Sequence, residues 1–188
     1  VFMDEGLIEK RLDSEDIFDG ALLHVKRDRV LLPNGHETVR EWIAHPGASS
    51  VVPILTDGRV VLVRQYRYPV GKVTLEIPAG KLDIGGESPE DCAVREILEE
   101  TGMVFAPEEL RYRAVVTFVS DEWGTEYMHL FTAAADQQRL SQLRGKENEE
   151  GTLEWVPVSD VESLPIWEGD KIFLRLLAED APFFSLKL

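Results

Sequence analysis

Residues 80–103 read GKLDIGGESPEDCAVREILEETGM, and the rest of the chain is organised around this stretch. Ser88 is a good helix N-cap, Pro89 suits the first helical position, and Glu90 and Asp91 favour the positive end of a helix dipole. Gly102 fits the residue just past a helix end. The spacing predicts a helix from about Pro89 to Thr101, with Ala93, Val94, Ile97 and Leu98 on one side. At roughly 100° per residue, Glu96, Glu99 and Glu100 fall on another arc about 100° wide. Such an arc is compatible with a solvated acidic face. It also follows a glycine-rich loop, and oxygen donors grouped in this way suit hard cations such as Mg2+ or Mn2+.

The same residues resemble the signature of the Nudix hydrolases: Gly, five residues, Glu, seven residues, then Arg-Glu-apolar-x-Glu-Glu-x-Gly-apolar. Everything from Glu87 to Met103 matches it. One departure is visible, because Gly80 lies seven positions before Glu87 rather than six. The loop therefore carries an extra residue, placed at Gly85-Gly86. The resemblance implies hydrolysis of a nucleoside diphosphate linked to a further group, with Mg2+ (or Mn2+) as cofactor. It implies metal binding by Glu96, Glu99 and Glu100, with Glu99 also among the catalytic residues, and by the Ala79 backbone carbonyl. It implies that Gly80, Glu87, Arg95 and Gly102 are structural parts of the motif, with Glu87 and Arg95 paired to hold the loop on the helix. Many relatives add a glutamate from a later loop as general base. Glu149 is the first candidate and Glu147 the next, with Glu150 beside them; the plain reading of that run is a solvated acidic loop.

Composition bounds the partners. The chain has 188 residues, 44% of them hydrophobic, and a formal net charge of −15. That suits one main domain with a real core. It disfavours nucleic-acid polymers and anionic membranes as partners, while a small-molecule nucleotide stays possible where a metal ion and a few arginines neutralise its phosphates. No apolar run reaches the length of a membrane span and no signal-peptide pattern opens the chain. A single cysteine, Cys92, excludes an internal disulfide and fits a cytoplasmic setting; its plain reading is a small packed residue.

Read in order, residues 1–46 predict a small antiparallel β unit, with strands at Ile17-Phe18, Ala21 to Val25, Arg29 to Leu32 and Glu37 to Ile43, and a turn at Pro33-Asn34-Gly35. His45-Pro46-Gly47 marks a boundary, and residues 47–188 form the main domain. Its expected strands are Val51 to Leu55, Val60 to Tyr66, Val73 to Ile77, Leu110 to Phe118, Tyr127 to Ala133 and Leu153 to Val156. Asp136 to Arg144 reads as a short helix or a loop. Val158 to Leu164 and Asp170 to Ala178 read as helices, the second with Ile172, Phe173, Leu176 and Leu177 on its apolar side. The fold class is α/β, a Nudix α/β/α sandwich with a mixed sheet, preceded by the N-terminal β unit.

The two halves resemble different branches of the family. LLPNGHETVREWIAHPG, VVLVRQYRYPV and LEIPAGKLD resemble ADP-ribose pyrophosphatases. In that branch the N-terminal strands form a homodimer and reach the partner's substrate, and Arg40 and Arg67 match positions that bind diphosphate or ribose; the alternative for each is plain surface charge. Trp42, Tyr66 and Tyr68 are suited to stacking on a base or to core and interface packing. VVTFVSDEWGTEYMHLFTA, NEEGTLEWVPV and LPIWEGDKIFL resemble MutT-type nucleoside triphosphatases that act on 8-oxo-dGTP. There a Trp and an Asp recognise the purine, and Trp167 and Asp170 match them; the alternatives are a hydrophobic anchor and a helix cap. The reading favoured is cleavage of a nucleoside diphosphate sugar such as ADP-ribose to AMP and ribose 5-phosphate, because the whole N-terminal extension belongs to that branch. A purine nucleoside triphosphate is the alternative, and a non-catalytic Nudix-fold ligand sensor is the third reading.

Overall fold

The computed structural model describes residues 6–120, 124–141, 143 and 151–188. The chain forms two compact units, one built on the residues up to His45 with Val119–Thr125 and one on Pro46–Phe118 with Glu126–Leu188.

The first unit is a three-stranded antiparallel sheet in the order β1 (Lys10–Asp19), β2 (His24–Leu31), β3 (Glu37–Ile43). The strand expected at Ile17-Phe18 is much longer, and Ala21 belongs to a turn closed by Gly20 N–H donating to Leu23 O at 2.9 Å. Every residue of β1 is exposed, so its charged sequence carries no alternation from which a strand could be read. The backbone ladder to β2 holds it instead, helped by cross-strand ion pairs such as Arg29–Asp13 at 2.7 Å and Lys26–Asp16 at 2.6 Å. Gly35 at φ +84° closes the turn between β2 and β3, a conformation that glycine adopts without steric cost.

The second unit carries a mixed sheet of eight strands. They are β4 (Ala48–Leu55), β5 (Arg59–Arg67), β6 (Lys72–Glu76), β7 (Ala79–Lys81), β8 (Leu110–Ser120), β9 (Gly124–Ala135), β10 (Gly151–Pro157) and β11 (Phe184–Lys187). The path runs β10-β5-β4-β9-β8-β11, with β6 on β5 and β7 on β4. β4 pairs with β9 and β8 with β11 in parallel; the described pairings of β5 are antiparallel. Alternation in β4 and β5 sends Val52, Val60 and Leu62 to one face and Val51, Val61 and Val63 to the other. The first face is covered by α3 (Glu168–Ala178) through Phe173, Leu174 and Leu177; the second by α1 (Pro89–Thr101) through Ala93 and Ile97. A sheet with helices on both faces is the expected α/β/α sandwich.

Local departures have physical causes. Val158–Ser163 winds as a 3-10 turn rather than an α-helix, because it lies between Pro157 and Pro165 and has little length in which to propagate. The four-residue α2 (Gln137–Leu140) is capped by Asp136, whose carboxylate accepts from Arg139 N at 2.9 Å. The apolar side of α3 is Phe173, Leu174 and Leu177, with Ile172 and Leu176 only half-buried.

Candidate active site

α1 forms for the reasons its sequence gives. The Ser88 hydroxyl accepts from Asp91 N at 3.1 Å, Pro89 occupies the first turn, and Gly102 ends the helix at φ +82° with its N–H on Leu98 O. Its buried stripe differs from the expected one. Leu98 is exposed and Val94 half-buried, while Glu96 and Glu100 lie inside, 8% and 6% exposed. Two glutamates thus sit where an ordinary amphipathic helix would place apolar residues, which demands that their carboxylates be engaged.

Arg95 engages the first of them, Glu96. Its Nε donates to Glu87 Oε1 at 2.9 Å and its Nη2 to Glu87 Oε2 at 3.0 Å, a two-bond fork between helix and preceding loop. Nη2 also reaches Lys81 O at 3.1 Å, and Nη1 meets the carboxylates of Glu96 and, at 3.3 Å, Glu99. The hydrogen bonds that Arg95 donates to Glu87 are the leading cause that raises the Arg95 pKa above its ordinary value. Glu100 Oε1 accepts from Ala79 N at 3.4 Å, which sets the carboxylate against β7. Gly80 lies directly beneath the Glu96 carboxylate, and a Cβ there would collide with it. The sulfur of Cys92 sits near Gly80 O and Lys81 O, and burial, followed by the charge of Glu87, pushes its thiol up to about 11. It is a packed residue rather than a nucleophile.

The extra loop residue leaves this arrangement undisturbed. Glu87 N donates to Ile84 O at 3.0 Å, closing an exposed turn in which Gly86 takes φ +84°. Nothing lies within 4 Å of a Cβ built on Gly85 or Gly86, so the insertion bulges into solvent while Gly80 still meets Glu96.

The donor set of Glu96, Glu99, Glu100 and the Ala79 carbonyl consists of hard oxygens, and the side-chain-free floor at Gly80 gives the carboxylates room. It therefore fits a divalent cation by chemistry. Among the described residues no three acidic, histidine or cysteine side chains converge closely enough to form a ready ligand cage. Glu99 is the exposed member, at 59% of its side chain. Glu147, Glu149 and Glu150 lie outside the described residues.

A second cluster forms on the same unit, around a residue that the motif reading missed. Glu76, on β6, receives Arg67 Nε at 2.8 and 3.0 Å and a further short bond from Arg67 Nη2. Thr74 Oγ1 donates to it at 2.6 Å. Burial pushes the Glu76 carboxyl upward, but these donors more than offset it and hold it below its ordinary value. Trp167 caps the start of α3 and is 48% exposed, whereas Asp170, three residues on, is buried. Asp170 is not the cap. Burial, reinforced by the charge of Glu76, pushes its carboxyl up to about 7. Two residues expected from different resemblances thus relate to Glu76: Arg67 bonds it, and Asp170 feels its charge. An acid between Leu75 and Ile77 in an apolar strand was the available sequence signal. Arg40 belongs to the first unit, where it is exposed, shares a sheet face with Trp42, and pairs with Glu9 at 2.6 Å. Trp42, Tyr66 and Tyr68 are all exposed rather than core residues.

Comparison with known proteins adds the following. Residues 44–177 match the NUDIX domain, and residues 9–43 match the nucleoside diphosphate sugar hydrolase N-terminal domain. The ADP-ribose pyrophosphatase of Bacillus subtilis (strain 168) is 32% identical over 185 residues, covering 97% of this chain and 96% of that protein. The fold resembles that of an ADP compounds hydrolase, with a TM-score of 0.66, 20% identity and 92% of each chain covered. It also resembles a MutT protein from Bacillus halodurans, with a TM-score of 0.61, 22% identity, and 73% of this chain and 85% of that one covered. Among the described residues no helix is long and apolar enough to cross a membrane.

Proposed function

The chain belongs to the Nudix hydrolases and is a pyrophosphohydrolase, and from that premise we propose that its substrate is a nucleoside diphosphate sugar, ADP-ribose first. The observation that carries this reading is the N-terminal three-stranded unit, whose residues 9–43 match a domain described for nucleoside diphosphate sugar hydrolases. The full-length likeness to an ADP-ribose pyrophosphatase supports it.

In the proposed reaction water attacks one phosphorus of the diphosphate, the bridging P–O bond breaks, and AMP and ribose 5-phosphate leave. Glu96, Glu99, Glu100 and the Ala79 carbonyl would hold Mg2+ or Mn2+, which when bound neutralises phosphate charge and makes water a better nucleophile. Arg95 holds Glu96 and Glu99 in place, and Glu87 keeps Arg95 on the helix. Gly80 leaves the space in which Glu96 lies. Glu149, or Glu147 next, is assigned the general base, because a carboxylate within reach of the attacking water can take its proton. Residues 1–46 are assigned to dimerisation and substrate contact, with Arg40 as the contact, and residues 47–188 to catalysis. The single, buried Cys92 supports work in a reducing compartment such as the cytoplasm.

A nucleoside triphosphate is the second reading, favoured by the exposed indole of Trp167 beside the buried Asp170. One panel separates the two: ADP-ribose, other sugar nucleotides, GTP, dGTP and 8-oxo-dGTP, each with Mg2+ and with Mn2+. AMP and ribose 5-phosphate from ADP-ribose at the highest kcat/KM are expected. Nucleoside monophosphate and pyrophosphate from 8-oxo-dGTP, with ADP-ribose untouched, would overturn the first reading.

A further inference from the structure

The second unit carries a cavity of about 390 Å3 that shares no residue with the candidate active site. It is bounded by Val104–Ala106, which follow the Gly102 cap of α1, by Glu109, and by Asp136, Gln138 and Arg139 at the start of α2. Sites for small molecules run from roughly 300 to 1,000 Å3, so this volume admits a ligand of one or two rings.

Arg139 is the central group. Its guanidinium lies over the Phe105 ring, 4.2 Å from the centroid. Its Nε donates to Val104 O at 3.2 Å, and its Nη2 donates a short bond to Glu109 Oε1. The plane is thus fixed along two bonds and across one face, which leaves its other face for the cavity. Phe105 is buried in the same cluster as Ile97 of α1, so the stack rests on the core. A long side chain ordered in advance costs little more to order when a ligand arrives. Glu109 accepts from Ala106 N at 2.9 Å as well as from Arg139, and these bonds, the one from Ala106 first, hold its carboxyl below its ordinary value. It therefore offsets the charge of Arg139. Asp136 spends one oxygen on Arg139 N at 2.9 Å; among the described residues its other oxygen and the Gln138 side-chain amide carry no hydrogen bond.

These groups select by chemistry. A phosphate or carboxylate would meet two carboxylates against one guanidinium. An alkylammonium would find the face of Phe105 already taken by Arg139. A neutral planar heteroaromatic meets neither obstacle. Its π face stacks on the free face of the guanidinium, its edge N–H groups donate to Asp136, and a ring nitrogen accepts from Gln138. We propose that this cavity is a second, non-catalytic binding site for a neutral planar heteroaromatic of the nucleobase type, stacked on Arg139 and read at its edge by Asp136 and Gln138. The site stands on its own lining and does not depend on which substrate is cleaved at α1.

The test is titration of the 15N-labelled protein with adenine, followed by 1H–15N NMR, with circular dichroism of each variant. Saturable shifts are expected at the amides of Val104, Ala106, Gln138 and Arg139. Arg139→Lys keeps the charge beside Glu109 but loses the plane, and is expected to weaken adenine binding by about tenfold or more. Gln138→Ala is expected to weaken it severalfold. Benzoate, planar but anionic, is expected to bind about tenfold more weakly than adenine. Shifts that do not saturate, shifts confined to the neighbourhood of Glu96 and Glu99, or an unchanged affinity in Arg139→Lys would each overturn the site. Benzoate binding as tightly as adenine would overturn the ligand class. Should Arg139→Lys fail to fold, an unchanged affinity in Gln138→Ala overturns the proposal instead.

Discussion

Two arginine–glutamate forks organise the catalytic unit, and they are built in opposite ways. Arg95 and Glu87 are eight residues apart on one loop and one helix, and the guanidinium goes on to meet Glu96 and Glu99 on the same helix. Arg67 and Glu76 sit on neighbouring strands, and the carboxylate goes on to accept from the Thr74 hydroxyl of its own strand. In the first fork one arginine serves three carboxylates; in the second one carboxylate serves several donors. The first gathers carboxylates around one guanidinium, an arrangement of hard oxygens suited to a cation. The second holds one half-exposed guanidinium, that of Arg67, still. The difference suggests a division of labour, with reaction chemistry assigned to α1 and the anchoring of a surface arginine to the β5–β6–α3 corner, and each prediction below attacks one side of it.

The largest effect is expected on the α1 side. Glu99→Gln or Glu100→Gln removes a charged oxygen donor while keeping the shape of the side chain. Losing several kcal/mol of charge stabilisation at the diphosphate corresponds to roughly a thousandfold fall in kcat. Circular dichroism should remain that of the wild type. Full turnover in both variants would sink the metal assignment and with it the division of labour.

Removing each arginine should separate the forks by stability. Arg95→Ala leaves Glu87 and Glu96 buried without their main counter-charge, and breaking a buried pair by removing one partner costs about 3 kcal/mol. Arg67 is half exposed, so water can reach Glu76 once it is gone, and Arg67→Ala should cost about 1 kcal/mol. Urea denaturation measures both. Equal losses would mean that the two forks are embedded alike.

The β5–β6–α3 corner should show itself through pH. Burial and the charge of Glu76 raise the Asp170 carboxyl to about 7, so the folded state favours its neutral form. Stability from this group is then fully present below the ordinary carboxylate range and is lost as pH rises through about 7. Asp170→Asn cannot ionise and should escape that loss. Between pH 5 and pH 8 the wild type should lose about 2 kcal/mol relative to the variant, measured by unfolding at both pH values. A difference that does not change with pH would place Asp170 in a wetter setting than its burial indicates.

The same contrast explains what could be read from the sequence. The first fork was legible because all its members belong to one contiguous motif, where helical periodicity and a fixed spacing do the placing. The carboxylate arc of Glu96, Glu99 and Glu100 follows from that periodicity alone. What periodicity could not show is which part of the arc turns inward, because that depends on Gly80 yielding space to Glu96 from another strand. The second fork was not legible. Arg67, Trp167 and Asp170 could each be named by resemblance, but Glu76 is read by local pattern as one polar residue in an apolar strand. Its pairing with Arg67 and its charge beside Asp170 emerge only when β5, β6 and the start of α3 are brought together. In the first unit only Ile17-Phe18, near the end of β1, was legible, for a related reason: ten exposed residues held by cross-strand pairing leave no periodic trace.

The smallest expected effect concerns the loop that departs from the family spacing. Gly80 and Gly85 both belong to the stretch before α1, but they differ in surroundings. Gly80 lies against the Glu96 carboxylate, whereas a Cβ on Gly85 would meet nothing within 4 Å and its backbone does not take a positive φ. Gly85→Ala should therefore change stability by less than about 0.5 kcal/mol and leave kcat within twofold. Gly80→Ala forces the carboxylate aside and should lower kcat sharply at the same protein concentration. If Gly85→Ala proved as damaging as Gly80→Ala, the extra residue would be part of the working site rather than slack in its entrance loop. The helix would then depend on a loop geometry that the motif itself does not encode. A silent Gly85→Ala instead confirms that Glu87, Arg95 and Gly80 fix the loop at its two ends, and that the chain between them is free to vary in length.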